Sequence, residues 1–289
     1  MMRAWLSSAS GAFLSSSRNH CCYYVSLSRF NSKRRAVKTN NNNNVEAFSS
    51  SNVNSPKRST PPNESKHRKA AERRQREDER KEEEDDAVKN ALSKVSGFYE
   101  IGNVDIYRSI DACQKKVFKM SDFKTSLAEI GVYHGKSFLA LVSLRKQNER
   151  CVAIDCFENQ AGINRDESGV GDYEKFRKHA MKFCEAMKAT EDSKFVWDGV
   201  VDSDTNMPNF IKVISKDSTK LTKEADFNED DDGPVRIFSI DGSHTVETTL
   251  RDLSFAADEC LHEKGVVILD DCFNPDWPGC ISGLAKYLE

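Results

Sequence analysis

Residues Ser126–Cys156 read SLAEIGVYHGKSFLALVSLRKQNERCVAIDC. An apolar run, Leu127–Val132, is interrupted at Gly131 and followed by a second glycine, Gly135. Phe138, Leu141, Val142 and Leu144 then fall on one face of a helix, and a second apolar run, Val152–Ile154, ends on Asp155. Strand, glycine turn, helix, strand and acid in that order make the nucleotide-binding half of a doubly wound α/β sheet.

The same alternation continues on both sides. Ile106, Ile110, Cys113 and Val117 recur at helical spacing and predict an amphipathic helix ahead of the first strand. Tyr173, Phe176, Ala180, Phe183 and Met187 predict another helix, and Phe210–Ile214 a third strand. After an acidic turn, Asn228–Gly233, comes a fourth strand, Val235–Ile240, ending on Asp241. Leu250, Leu253 and Ala257 place a helix before a fifth strand, Gly265–Leu269, which ends on Asp270 and Asp271. Near-continuous apolar strands alternating with helices imply a Rossmann-like, mostly parallel sheet over residues 88–289, with helices on both faces.

Upstream of residue 88 the composition changes. Residues 1–45 carry seven Lys/Arg and no Asp/Glu and are rich in Ser, as expected of an unstructured transit segment for a mitochondrion or plastid. Residues 46–87 read as a linker. Asn40–Asn44 and Ser49–Pro62 are low-complexity, and Lys66–Asp86 is a dense charge run. That run is expected to be a solvated spacer, helical where Glu72/Arg76 and Glu77/Lys81 stand four apart. Residues 91–289 hold 25 basic against 35 acidic side chains, a balance that repels phosphodiester backbones and makes nucleic acid a poor substrate. No run reaches the roughly 20 apolar residues of a membrane span. The nine cysteines include no CxxC pair, so reduced thiols are expected rather than a metal or disulfide framework.

Ligands of open parallel sheets bind beyond the carboxyl ends of the strands. Here each strand is followed by a carboxylate or a glycine turn. The Gly131-x-x-x-Gly135 turn is wider than the GxGxxG that closes on a pyrophosphate, and Glu129 precedes it. Such a turn suits a cationic amino-acid tail better than phosphate, which leaves an NAD-dependent oxidoreductase as the weaker alternative. Asp155 can accept both ribose hydroxyls. His244, three residues past Asp241, is placed to act as a base on a hydroxyl, or else to bond a neighbouring carboxylate. His134 reads as a residue that orients the backbone of the turn, and Trp277 and Pro278 as part of an acceptor pocket.

These segments resemble a family. EIGVYHGKS resembles motif I of the class I S-adenosylmethionine-dependent methyltransferases. AIDCFENQAGINRDESGVGDYEKF (Ala153–Phe176) resembles the region after the second strand in one of its subgroups. IDGSHTVETTLRDL (Ile240–Leu253) and GVVILDDCFNPDWPG (Gly265–Gly279) resemble that subgroup's paired late motifs. The resemblance covers about residues 126–288. It implies S-adenosylmethionine as cofactor, with Glu129, Gly131 and Gly135 at the methionine end, Asp155 at the ribose, and Asp217 with Ser218 at the adenine. Tyr133, Ser137, Cys156, Phe157 and Asp241 complete the implied cofactor set. Asp241, Asp270 and Asp271 resemble acids that chelate Mg²⁺ or another divalent ion in related O-methyltransferases, although catechol-type relatives have Asp-Asn where this chain has Asp270-Asp271. The implied reaction is methyl transfer to the oxygen of a small molecule or glycan hydroxyl, with Asp241 and His244 catalytic. The family's sheet continues past the fifth strand through a helix to a β-hairpin. This chain stops at Glu289, so the resemblance implies a sheet without its C-terminal hairpin and, as the alternative, an incomplete non-catalytic domain.

Overall fold

The computed structural model describes residues 11–16, 23–28, 64–160, 169–188, 195, 197–228 and 230–289. Two compact units emerge, one of Met1–Asn31 with Glu84–Glu289 and one of Ser32–Glu83. The strands in chain order are β1 (Gly11–Ser16), β2 (Tyr23–Ser28), β3 (Ser126–Ile130), β4 (Arg150–Asp155), β5 (Ile211–Ser215), β6 (Val235–Ile240) and β7 (Leu261–Leu269). The helices are α1 (Glu64–Ser93), α2 (Val104–Lys116), α3 (Lys136–Val142), α4 (Tyr173–Lys188), α5 (Lys223–Asp226), α6 (Val246–Ser254) and α7 (Pro278–Leu288). No helix among the described residues is long and apolar enough to cross a membrane.

All strands join one sheet in the order β1-β2-β7-β6-β3-β4-β5, in which β3 to β7 are parallel. Alternate strand residues feed two cores, one on each face. Leu127, Ala153, Ile237 and Ile268 pack with α3 and α4 on one side. Ala128, Ile154, Phe238 and Leu269 pack with Leu253, Phe255 and Leu284 on the other. The doubly wound architecture expected from the apolar runs is therefore observed. Pairing of Ile130 with both Ile154 and Ile240, and of Ile240 with Leu269, brings the ends of four strands level. That register places Gly131, Asp155, Asp241 and Asp270 along one edge.

Four differences from the sequence reading have physical causes. The fifth parallel strand begins at Leu261, four residues before Gly265, and the third is shifted by one residue to Ile211–Ser215. The helix before β3 buries Val104, Tyr107, Asp111 and Gln114, whereas Cys113 and Val117 are exposed and Ile106 and Ile110 are half-buried. Its inward face is set by Arg236, a fully buried side chain that Asp111 and Gln114 bond. The charge run is helical from Glu64, with Gln75 donating to Glu79, and it continues as α1 into the buried Val88, Ala91 and Leu92.

The fourth difference lies at the sheet edge beside β7. Two pieces of the expected leader, β1 and β2, pair antiparallel with each other, and β2 pairs antiparallel with β7 through Val25–Leu269, Ser26–Ile268 and Leu27–Val267. The edge expected to lack a C-terminal hairpin is thus covered by strands from the other end of the chain. The rest of the leader, the Asn and Ser-rich linkers and Asn164, Asp166 and Ser168 lie outside the described residues. A bare, apolar edge strand invites pairing with other chains. Removing residues 1–30 is expected to lower Tm and produce concentration-dependent association by light scattering. A truncated protein that stays monomeric with unchanged Tm would contradict this account of the edge.

Candidate active site

The level strand ends open onto a cavity of about 950 Å³. Its wall includes Gly131, Tyr133, Ser137, Asp155, Cys156, Asp217, Ser218, Asp241, His244, Asp270, Asp271 and Trp277. Most of the expected site residues therefore meet at one place. Glu129, Gly135 and Phe157 do not reach the wall. Phe157 is 1% exposed and stacks on Phe176 in the core, and Gly135 starts α3 at φ +93 against the Phe176 ring. Both shape the site from behind it.

The glycine turn is built by close approach of backbones. Gly131 has φ +86, and a Cβ there would lie 1.7 Å from the carbonyl oxygen of Asp241. The amide of Asp241 donates to Ile130 at 2.8 Å and that of Gly131 to Ile154 at 2.9 Å, so any side chain at Gly131 would separate β3 from β6. Asp155 fixes the rest of the turn. Its carboxylate accepts the backbone N–H of Tyr133 at 2.7 Å and that of Phe157 at 2.6 Å. His134 is buried in the turn, with Nδ1 3.1 Å from Ser96 Oγ, and its carbonyl lies 2.9 Å from His179 Nδ1.

Beneath the turn lies a cluster of acids. Glu129 is wholly buried, and neither carboxylate oxygen has a hydrogen bond of normal geometry among the described residues. Burial pushes its pKa up to about 8, Asp270 and Asp155 add to the rise, and the nearby Ser137 and Ser239 hydroxyls draw it partly back. Burial also raises Asp241 well above the carboxylate range, with Asp270, Glu129 and Asp271 contributing repulsion. Asp270 is pushed up to about 6 by burial and by Asp271. Asp271 goes the other way: burial opposes ionisation, but bonds from His244 and Asn274 outweigh it and lower the pKa.

His244 lines the cavity beside these acids. Its Nε2 lies 3.3 Å from Asp271 Oδ2, and its ring stacks on Trp277 at 4.4 Å. Among the described residues, the donors that gather closely enough for a metal ion are Asp241, His244 and Asp271, within 4.8 Å of one another. Asp270, expected among the metal ligands, stands outside that group and accepts the Asp271 backbone N–H at 2.9 Å. Across the cavity, Asp217 is held by Thr219, whose N–H and hydroxyl donate at 3.0 and 2.7 Å.

Several wall residues were not anticipated: Phe98 and Tyr99 ahead of the first strand, and Thr248 and Arg251 on α6. The aromatic pair after Gly97 was the one available signal for the first two. Asp252 was missed as well. It is 0% exposed with both oxygens unbonded among the described residues, burial pushes its pKa up to about 7, and a Cβ on Gly242 would come within 3.0 Å of it.

A family model described as a methyltransferase domain matches residues 128–272, half of the chain. Among solved structures, the chain is similar to the calicheamicin methyltransferase CalS11, with 17% identity over 71% of this chain and 83% of that one and a TM-score of 0.41. No curated protein matches the chain. The family match spans β3 through the Asp270–Asp271 turn, the segment that builds the cavity, and through it the chain belongs to the class I S-adenosylmethionine-dependent methyltransferase family.

Proposed function

We propose that this chain transfers a methyl group from S-adenosylmethionine to the oxygen of a small-molecule or glycan hydroxyl. The crowding of acids carries the reading. Asp155, Asp241 and Asp270 on the wall and Glu129 buried behind them raise one another's pKa, and a cation in the cavity would relieve that repulsion. S-adenosylmethionine fits that need, since it brings an ammonium and a sulfonium. A dinucleotide would instead add two phosphate charges to a cluster of acids, which argues against NAD.

The residues divide the work by position. Asp155 Oδ1 accepts from the Phe157 amide and the Gln160 side chain and Oδ2 from the Tyr133 amide, which leaves Oδ2 a lone pair for a ribose hydroxyl. Asp217 and Ser218 on the far wall suit the adenine. When bound, S-adenosylmethionine supplies a methyl carbon on a positively charged sulfur. The chain's part is to align an acceptor hydroxyl with that carbon and to take its proton. The His244 imidazole takes the proton, with its Nε2 turned to Asp271, which stabilises the imidazolium, and Trp277 to fix the ring plane. With a divalent cation bound instead, Asp241, His244 and Asp271 would hold it, His244 would serve as a ligand in place of a base, and the ion's chemistry would be to acidify the hydroxyl. Two carboxylates and an imidazole suit Mn²⁺ or Zn²⁺ better than Mg²⁺.

Calorimetric titration of the full chain tests the cofactor reading. Saturable binding of S-adenosylmethionine is expected, with none of NAD, and Asp155→Ala is expected to abolish it by freeing both Tyr133 and Phe157. Saturable binding of NAD, or of neither ligand, would overturn the proposal.

A further inference from the structure

We infer that Asp252 is a positioning residue at the nucleoside end of the cavity: the Ser218 hydroxyl donates to its carboxylate, which leaves Ser218 a lone pair for the exocyclic amino group of the base. The inference rests on the methyl-transfer reading above, in which Ser218 meets the adenine. It names the group that makes the site prefer an amino base to its carbonyl counterpart.

Asp252 lies on α6, outside the cavity, but its polar surroundings belong to the cavity wall. α6 packs on the turn Ser218–Lys220 after β5, and the Arg251 guanidinium donates to the Leu221 carbonyl just beyond that turn. Gly242, past the end of β6, abuts the carboxyl so closely that a Cβ there would come within 3.0 Å of Asp252 Oδ2. The Cys156 thiol, past the end of β4, feels the charge of Asp252. Ser218, Gly242 and Cys156 all line the cavity. The carboxyl is thus set behind the wall where three strands end.

Asp252 is fully buried, and no hydrogen bond of normal geometry reaches either oxygen among the described residues. A buried carboxyl in that state calls for a donor. Burial pushes its pKa up to about 7, and the nearby Ser218 hydroxyl draws it partly back. Ser218 is the donor at hand.

A serine hydroxyl has one proton, and a carboxylate can only accept. While Asp252 is ionised, that proton points to it and Ser218 shows the cavity a lone pair. A protonated acid can also donate, and Ser218 is then free to turn its proton into the cavity. The state of Asp252 thereby decides whether Ser218 accepts from an amino group or donates to a carbonyl. Its charged and titratable neighbours keep their own state across neutral pH. Burial opposes ionisation of Asp217, but bonds from Thr219 and Lys220 outweigh it and lower the pKa. Burial pushes Cys156 up to about 11. Arg251 is a permanent cation, paired with Glu259 at 2.9 Å.

The probes are S-adenosylhomocysteine and its deaminated twin S-inosylhomocysteine, in which a carbonyl replaces the amino group of the base. Both are titrated into the full-length protein between pH 6 and 8, where each base keeps one protonation state. The ratio of their affinities cancels Glu129 and any other group that meets the amino-acid portion, which the twins share. At pH 8 the wild type is expected to prefer the amino base by about tenfold, the value of one hydrogen bond. That preference is expected to fall roughly threefold by pH 6, through a midpoint near the Asp252 pKa of about 7. Asp252→Asn, whose amide can donate or accept, is expected to lose most of the preference at pH 8 and to flatten the profile. Ser218→Ala is expected to flatten it too, with Asp252 still in place. A residue serving only the packing of α6 would shift Tm and both affinities together and leave the ratio alone. A wild-type ratio constant from pH 6 to 8, an Asp252→Asn ratio equal to wild type at pH 8, or a pH profile that persists in Ser218→Ala overturns the inference. If Asp252→Asn does not fold, the wild-type and Ser218→Ala profiles decide between these outcomes. Failure of the methyl-transfer reading shows separately, as absent S-adenosylhomocysteine binding in the wild type at every pH.

Discussion

Binding of S-adenosylmethionine at pH 7 is expected to release close to one proton, and Glu129→Gln is expected to abolish the release. Without ligand, Glu129 has a pKa of about 8 in place of the ordinary 4.5, because burial penalises its charge and Asp270 and Asp155 repel it. It is therefore protonated at neutral pH. A cation brought beside it favours the carboxylate, so binding expels the proton and affinity rises about tenfold per pH unit up to pH 8 and then levels. Titrations in buffers of different ionisation enthalpy read the proton directly. The same group sets a stability trend of opposite sign. The folded state holds a proton between pH 4.5 and 8 that the unfolded chain has lost, so this contribution is full below pH 4.5 and disappears as pH rises through 8. The loss is on the order of 5 kcal/mol. Glu129→Gln is expected to raise the Tm of the ligand-free protein at pH 9 while weakening cofactor binding by about tenfold, the value of a nearby charge behind the wall rather than of a direct hydrogen bond. Heats of binding that do not depend on the buffer would remove Glu129 from the cofactor site.

What the sequence disclosed and what it concealed follow from the range of the interactions. Gly131, Asp155, Asp241 and Asp270 were legible because each ends an apolar run, and strand periodicity alone aligns them. The meaning of Gly131 was less legible. Its left-handed backbone serves the approach of Asp241, from a strand over a hundred residues away, before it serves any ligand. Phe157 read as a cofactor contact because it follows Asp155, but a φ of +46 turns its ring back into the core against Phe176. Phe98 lies ahead of the first strand, where no motif marks it, and reaches the cavity through contacts of its loop with His134 and Lys136. The strands β1 and β2 were hidden for a related reason. Their basic, Ser-rich context looks like a leader, and only the free edge of β7 gives them a partner.

The face of α2 was concealed by the interaction with the largest expected effect on stability. Spacing of apolar residues favoured Ile106, Ile110, Cys113 and Val117, yet Asp111 and Gln114 point inward because Arg236 is there to receive them. Arg236 is 0% exposed, and its five N–H groups meet five acceptors. Nε donates to Glu149 Oε1 at 2.6 Å, Nη1 to Asp111 and Gln114 at 2.9 and 3.1 Å, and Nη2 to the Leu144 carbonyl and Glu149 Oε2 at 2.9 and 3.1 Å. Glu149 in turn accepts from Thr125 at 2.7 Å and from the Lys146 amide at 2.9 Å. Arg236→Met leaves Glu149 and Asp111 facing an apolar interior, and a broken buried pair of this kind costs about 3–5 kcal/mol. For a domain of this size that is a fall in Tm of roughly 10 °C or more. Adding Glu149→Leu and Asp111→Leu removes the stranded charges and is expected to recover most of the loss, since a buried ion pair is worth little over a well-packed apolar substitute. Arg236 lies near the amino end of β6 and Asp241 just past its carboxyl end. The folded fraction of Arg236→Met is therefore expected to bind S-adenosylhomocysteine with unchanged affinity. A single variant that melts within 3 °C of wild type would show that the network is not what orients α2. A folded variant that loses cofactor affinity would show that β6 transmits the defect along its length to the site.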